Sequence, residues 1–173
     1  MIIREALIHD AMQIVAIKQE IITTTFFFVS APEEIPKDVQ REKQKIEESK
    51  TKGNLILVAE VNEEVVGFLE FKRNPMQRLN HTGSFGMAIQ KEHRGVGIGT
   101  SMLGHLIAWA LVQEGLEKIC LGVLSNNERA LHVYHKLGFQ EEGRQRKQVR
   151  FEDGTYADDI WMALHLEKRR KET

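Results

Sequence analysis

The sequence predicts a mixed α/β fold: a mostly antiparallel central sheet of about seven strands, flanked by about four helices. Three observations carry that expectation. Apolar residues switch along the chain between alternation and helical spacing. Short polar turns, Asn62-Glu63-Glu64 and Asp153-Gly154, each join two extended runs into a hairpin. The resulting order is strand, helix, helix, three strands, helix, strand, helix and a final hairpin, which places helices over the faces of one sheet. The 173 residues, 42% hydrophobic and 28% charged, suit a single folded domain without disulfide or metal staples. Residues 1–168 are read as that domain and 169–173 as a charged tail. A net charge of -1 makes nucleic acid a poor partner, because its binding rests on an excess of Lys and Arg.

Arg4 to Leu7 reads as the first strand, and Asp10 as the N-cap of a helix with Ile14, Ile17 and Ile21 on one stripe. The β-branched and aromatic run Thr23 to Phe28 ends that helix, and Pro32 and Pro36 punctuate the segment after it. Glu33 to Lys52 holds six acids and six bases, a solvated helix closed by Gly53. Asn54 to Val61 and Val65 to Phe71 form the first hairpin, and Gly83 to Ile89 the next strand. After Gly95, Gly97 and Gly99 comes a helix apolar around much of its circumference, with Ile98, Met102, Leu106 and Trp109 on one face and Leu103, Ile107 and Leu111 on another, hence buried. Lys118 to Val123 is a short strand around Cys120. Asn127 then caps a helix with Ala130, Val133 and Leu137 on one stripe, stopped by Gly138. Gln140 to Phe151 and Thr155 to Leu166 form the closing hairpin.

The start of the chain shows no basic segment leading into an apolar run, and the single cysteine fits a reducing compartment, so a cytoplasmic location is expected. Residues 95–113 carry no Asp, Glu, Lys or Arg, but four glycines and several polar side chains mark them as a loop feeding a buried helix rather than a membrane span. The seven histidines show no metal-ligand spacing, so no metal is expected.

The chemistry concentrates in Arg94-Gly95-Val96-Gly97-Ile98-Gly99-Thr100, between a strand and a helix. Such a loop offers free backbone N–H groups and the positive end of the helix dipole, and its glycines let a phosphate approach. Thr100 breaks the dinucleotide-binding glycine pattern, and the Lys of a Walker loop is absent. The spacing that fits is Arg-x-x-Gly-x-Gly, filled by Arg94, Gly97 and Gly99. One strand later, Asn127 to Phe139 carries Asn-x-x-Ala-x-x-x-Tyr-x-x-x-Gly-Phe through Asn127, Ala130, Tyr134, Gly138 and Phe139.

With both segments in this order, the chain resembles the GNAT superfamily of acyl-CoA-dependent N-acetyltransferases over residues 1–166. Its closing hairpin is similar to the branch that acetylates amino acids and small amines. The resemblance implies acetyl-CoA as co-substrate. The backbone of Arg94, Gly95, Val96, Gly97, Ile98, Gly99 and Thr100 would hold its pyrophosphate, and that of Met87, Ala88 and Ile89 its pantetheine arm. It implies an Asn127 contact to that arm, beside the plain N-cap reading of this residue, and makes Arg129 and Lys136 partners of the nucleotide phosphates, or solvated helix charges. Tyr134 is the general-acid candidate, since a phenol is protonated at neutral pH and lies off the apolar stripe of its helix. For the base, Glu70 is the leading candidate, with His81 and Glu60 beside it. Cys120 stands between apolar residues, so direct attack by the amine in a ternary complex is expected over acyl transfer through the thiol. By the same resemblance, Thr23 to Pro36 and Arg144 to Tyr156 cover the acceptor cleft, and Phe26, Phe27 and Phe28 either line it or join the core. A small primary amine, an amino acid or analogue, is the expected partner, with neither nucleic acid nor membrane; a homodimer is compatible. The alternatives are a protein N-terminal acetyltransferase and a catalytically silent acyl-CoA-binding domain.

Overall fold

The computed structural model describes residues 1–166; the charged tail at 169–173 lies outside the described residues. Seven strands form one sheet: β1 (Ile2–Glu5), β2 (Leu55–Val61), β3 (Glu64–Arg73), β4 (Thr82–Ile89), β5 (Lys118–Leu124), β6 (Gln140–Arg150) and β7 (Tyr156–His165). Their order across the sheet is β1-β2-β3-β4-β5-β7-β6, and every neighbouring pair is antiparallel except β4 with β5. Four helices flank it: α1 (Ala11–Thr24), α2 (Val39–Ser49), α3 (Ile98–Val112) and α4 (Glu128–Lys136). The mixed α/β, mostly antiparallel architecture read from the sequence is therefore the one observed.

The strands' alternation sorts two cores onto opposite faces. Leu55, Leu57, Leu69 and Phe71 meet α3 and Tyr134 of α4 on one face, whereas Ile56, Val58, Val65 and Phe68 meet Ile14, Ile17 and Ile21 of α1 and Ile46 of α2 on the other. Among the described residues no helix is long and apolar enough to cross a membrane.

Element boundaries depart from expectation where side chains find local partners. The first strand begins two residues early and ends at Glu5, because Ile2 to Glu5 pair with Leu57 to Glu60. Asp10 does not cap α1. Its own backbone is helical (φ -73°), and its buried carboxylate accepts from the Leu7 N–H at 2.7 Å and from Arg4 at 2.7 and 3.0 Å. The helix runs on through Thr23 and Thr24, whose hydroxyls donate back to the carbonyls of Gln19 and Glu20. The charged helix starts only at Val39: a short 3-10 turn occupies 32–34, and Asp38 caps α2 by accepting from the Arg41 N–H at 3.0 Å. Burial of α3 is one-sided. Met102, Leu103 and Leu106 are fully buried, but Leu111 is 40% and Val112 79% exposed.

The irregularity that matters lies between β4 and β5. Parallel pairing holds only from Thr82, Gly83 and Ser84 to Lys118, Ile119 and Cys120. Beyond Ser84 the two strands separate, which leaves a V-shaped opening at the centre of the sheet.

Candidate active site

On the β4 side of that opening lies a cleft of about 890 Å³. Its walls come from the end of β4 (Met87, Ala88, Ile89), the glycine loop and the first turn of α3, and the exposed side of α4. Of the residues singled out in the sequence, Met87, Ala88, Ile89, Arg94, Gly95, Gly97, Ile98, Gly99, Thr100, Asn127, Arg129, Tyr134 and Lys136 all line it. Val96 does not; its side chain is 70% exposed and turned away. Thus two motifs some thirty residues apart face one cavity.

The loop's shape follows from its glycines. Gly95 and Gly97 adopt φ of +83° and +91°, a region that costs side-chain-bearing residues strain, and Gly97 forms the N-terminal boundary of α3. The first-turn amides of α3 consequently open on the cleft. Gly99 serves packing instead: a Cβ there would sit 3.3 Å from Met87 Cε and 3.4 Å from Ile89 Cδ1, so α3 lies tight on β4.

Two guanidinium groups approach this loop. Arg94 donates through Nε to the Ile89 carbonyl at 2.8 Å, which turns the loop back onto the strand end. Burial and the nearby charge of Arg129 lower its pKa, against the opposing charge of Glu20. Arg129 reaches in from α4; a Cβ on Gly95 would meet its Nη1 at 3.5 Å. Like charges gathered beside free amides make a setting for an anion.

Tyr134 is 7% exposed, and its ring packs against Phe85 and Phe139 with centroids 5.9 and 5.8 Å away. Burial pushes its phenol up to about 12. Among the described residues its hydroxyl makes no hydrogen bond. Asn127 caps α4 by accepting from the Ala130 N–H at 3.3 Å, which leaves its amide N–H₂ free toward the cleft it lines.

The candidate bases lie elsewhere. Glu70 faces α1 and α2, as its alternation with Leu69 and Phe71 predicts, but it is ion-paired to Lys18 and does not line the cleft. Burial pushes its carboxyl up despite Lys18. Glu60 on β2 is tied to Arg4 of the edge strand β1 at 2.8 Å, and His81 is exposed, its carbonyl accepting from the N–H groups of Glu117 and Lys118. None of the three meets Tyr134 in one cavity. Cys120 is half-buried on β5, and burial pushes its thiol up, away from the reactive thiolate.

The connection between α1 and α2 carries contacts that the sequence does not reveal. Phe27 and Phe28 line the cleft, whereas Phe26 stacks on Phe151 of the final hairpin at 5.1 Å. The Phe26 carbonyl accepts from Asn126 at 2.9 Å. The α1–α2 connection is thereby fastened to both the β5–α4 turn and the hairpin. Asn126 has no signal in the sequence except its place beside Asn127.

A sequence model described as the acetyltransferase (GNAT) family matches residues 19–139. Among characterised proteins, the chain is similar to an L-amino acid N-acetyltransferase of Escherichia coli, 29% identical over 62% of this chain and 65% of that protein. An L-amino acid N-acyltransferase of the same organism is 30% identical over 68% of this chain and 67% of the relative. The chain thus spans about two thirds of the length of these relatives. Spermidine N(1)-acetyltransferases of Vibrio cholerae and Escherichia coli match at 26% and 29%, over 57% and 56% of their lengths. Among solved structures, a Salmonella typhimurium protein determined with its cofactor acetyl-CoA superposes with a TM-score of 0.86 at 23% identity, covering 100% of this chain and 98% of that one.

Proposed function

Because the chain belongs to the GNAT family of acetyltransferases, we propose that it moves an acetyl group from acetyl-CoA to the primary amine of a small molecule, such as an amino acid or analogue, by direct attack in a ternary complex. The observation that carries this reading is the single cleft onto which the glycine loop, the end of β4 and the Tyr134 face of α4 all open. The amino-acid acetylating relatives point to the same acceptor class.

In this reading the amides of the glycine loop and the α3 dipole hold the pyrophosphate, with Arg94, Arg129 and Lys136 adding charge. The pantetheine arm lies in the opening beyond Ser84, where β4 has no β5 partner, and takes backbone hydrogen bonds as an added strand takes them. Asn127 donates its side-chain amide to the arm while keeping its cap. A backbone N–H at Met87 to Ile89 polarises the thioester oxygen. The substrate ammonium loses a proton to water, and its nitrogen lone pair attacks the carbonyl carbon. A C–N bond forms, the C–S bond breaks, the departing sulfur takes the Tyr134 proton, and the nitrogen gives its second proton to water, from which the phenolate is reprotonated. Glu70 has no part in this scheme, since Lys18 already holds its carboxylate outside the cleft.

The test is release of free thiol from acetyl-CoA across amino acids, polyamines and peptides. Amine-dependent release with small primary amines is expected. Release with peptides alone would favour an N-terminal acetyltransferase. Acetyl-CoA binding without release for any acceptor would leave a silent acyl-CoA-binding domain.

A further inference from the structure

The sheet face turned toward α1 and the final hairpin carries an arrangement that the acetyl-donor side does not use. Two residues beyond the last β4–β5 pair, Ser84 with Cys120, stand Gly86 and Gly122, both exposed. By alternation they share the face of Ser84 and Cys120, opposite the buried Phe85, Leu121 and Val123. At the level of these two glycines the rim of the opening therefore has no side chains on this face, between Ser84 and Cys120 before it and Ala88 and Leu124 after it; a Cβ on Gly86 would meet nothing within 4 Å. The strands outside supply the walls. Glu70 pairs with Gly86 on one side, and Trp161 with Gly122 on the other. A Cβ on Gly122 would meet Asp159 Oδ1 at 3.3 Å, so the Asp159 carboxylate leans over that glycine.

The two walls differ electrically. Glu70 is ion-paired to Lys18, which it shares with Glu42, and Lys45 stands 4.0 Å away. Asp159 is half-buried and, among the described residues, makes no hydrogen bond or ion pair. Its neighbour Asp158 is fully engaged, accepting from the Lys147 N–H at 2.8 Å and from Arg144 at 3.2 Å. A partly buried carboxylate with no partner lacks compensation for its lost hydration, and a cation supplies it. Beside it stands the Trp161 ring, 52% exposed, a surface that suits both apolar groups and cations.

We propose that Asp159 is the acceptor-binding residue of this enzyme: its carboxylate accepts a hydrogen bond from the substrate's primary ammonium, and Trp161 packs along the carbon chain behind it. The inference rests on the acetyl-transfer reading, because the opening beyond Ser84 is where that reading puts the thioester; Asp159 and Trp161 flank that opening and do not line the cleft of the glycine loop. The glycine rim then has a purpose, since any side chain at 86 or 122 would stand between amine and donor.

Phenethylamine is the probe, an ammonium on an aromatic arm, with 2-phenylethanol as its neutral counterpart. Binding is followed by tryptophan fluorescence, with Trp161→Phe assigning the signal between Trp109 and Trp161, and thiol release from acetyl-CoA is measured in parallel. Phenethylamine should bind and the alcohol bind more weakly. Asp159→Asn should weaken the amine by about tenfold or more, as loss of a hydrogen bond to a charged group does. It should raise the amine KM alike, with the acetyl-CoA KM and the thermal midpoint unchanged. Equal amine affinity in wild type and Asp159→Asn, or no binding in either, overturns the proposal. Charge-dependent binding lost in Asp159→Asn without thiol release from any amine upholds the cation site and overturns the acetyl-transfer reading instead.

Discussion

At the scale of single residues, Tyr134 and Glu70 separate what a pattern can and cannot say. Tyr134 sits one position off the apolar stripe of α4, but Ala130 and Val133 of that stripe line the cleft with it, so phase alone does not distinguish the phenol. Its ring is nevertheless the most buried part of the helix, wedged against Phe85 and Phe139. Tyr134→Phe keeps that packing and removes only the O–H. Turnover should fall by about 100-fold, the lower range for a positioned acid, while the affinity for acetyl-CoA stays within a few-fold; steady-state thiol release and calorimetric titration read the two. Unchanged turnover would remove Tyr134 as the donor. Its pKa, pushed up to about 12 by burial, adds a pH criterion: no loss of turnover below pH ~10 should trace to this group. For Glu70, alternation gave the correct face. Only the structure supplied Lys18, from a helix fifty residues away, which turns a free-looking carboxylate into half of an ion pair.

At the scale of elements, what was legible followed from local chemistry. The strand–glycine loop–helix unit and the capped α4 were both readable because backbone conformation and short-range hydrogen bonds determine them. The charged stretch before β2 holds a shorter helix than its composition suggests, since its six acids and six bases carry too little apolar periodicity to mark where α2 begins; Asp38 marks it. The all-round apolar character of α3 concealed an exposed end at Leu111 and Val112. Within α3 and its loop, two glycines should respond in opposite ways. Gly97, at φ +91°, tolerates no β-branched residue without strain, so Gly97→Val should abolish the thermal shift given by acetyl-CoA. Gly104 lies inside the helix, and a Cβ there would meet nothing within 4 Å. Gly104→Ala should keep that shift and raise stability by about 0.4–1 kcal/mol, as relief of unfolded-state entropy does. If both variants bind acetyl-CoA alike, the loop conformation does not form the phosphate site.

At the scale of the whole molecule, the opening between β4 and β5 was legible only through the family resemblance, because it depends on where a parallel register stops, and no residue of either strand announces that. Nor does any local pattern announce the charges that fasten α1 to the far edge of the sheet. Arg4 of β1 bridges the Asp10 carboxylate at the start of α1 and Glu60 of β2, at 2.7 and 2.8 Å. Asp10 is 2% exposed. Burial pushes its carboxyl up, but the hydrogen bonds from Arg4 and the Leu7 N–H outweigh that and hold it below the usual carboxylate value of ~3.9. A carboxyl depressed on folding contributes stability above its unfolded pKa, and that contribution is lost as pH falls through the folded value. Arg4→Ala strands the buried carboxylate, so at pH 7 it should cost about 3–5 kcal/mol. Without Arg4, burial is the largest remaining influence and moves the Asp10 pKa upward, so the variant takes up its proton before the wild type does. As pH falls toward 3 the Asp10 carboxylate of the variant is neutralised first, and the difference between the two proteins should shrink below its value at pH 7. Urea unfolding of both at the two pH values decides the matter: an equal difference at pH 3 and pH 7 would mean that Arg4 acts through packing of its stem, and that the N-terminal strand is not held to α1 by charge.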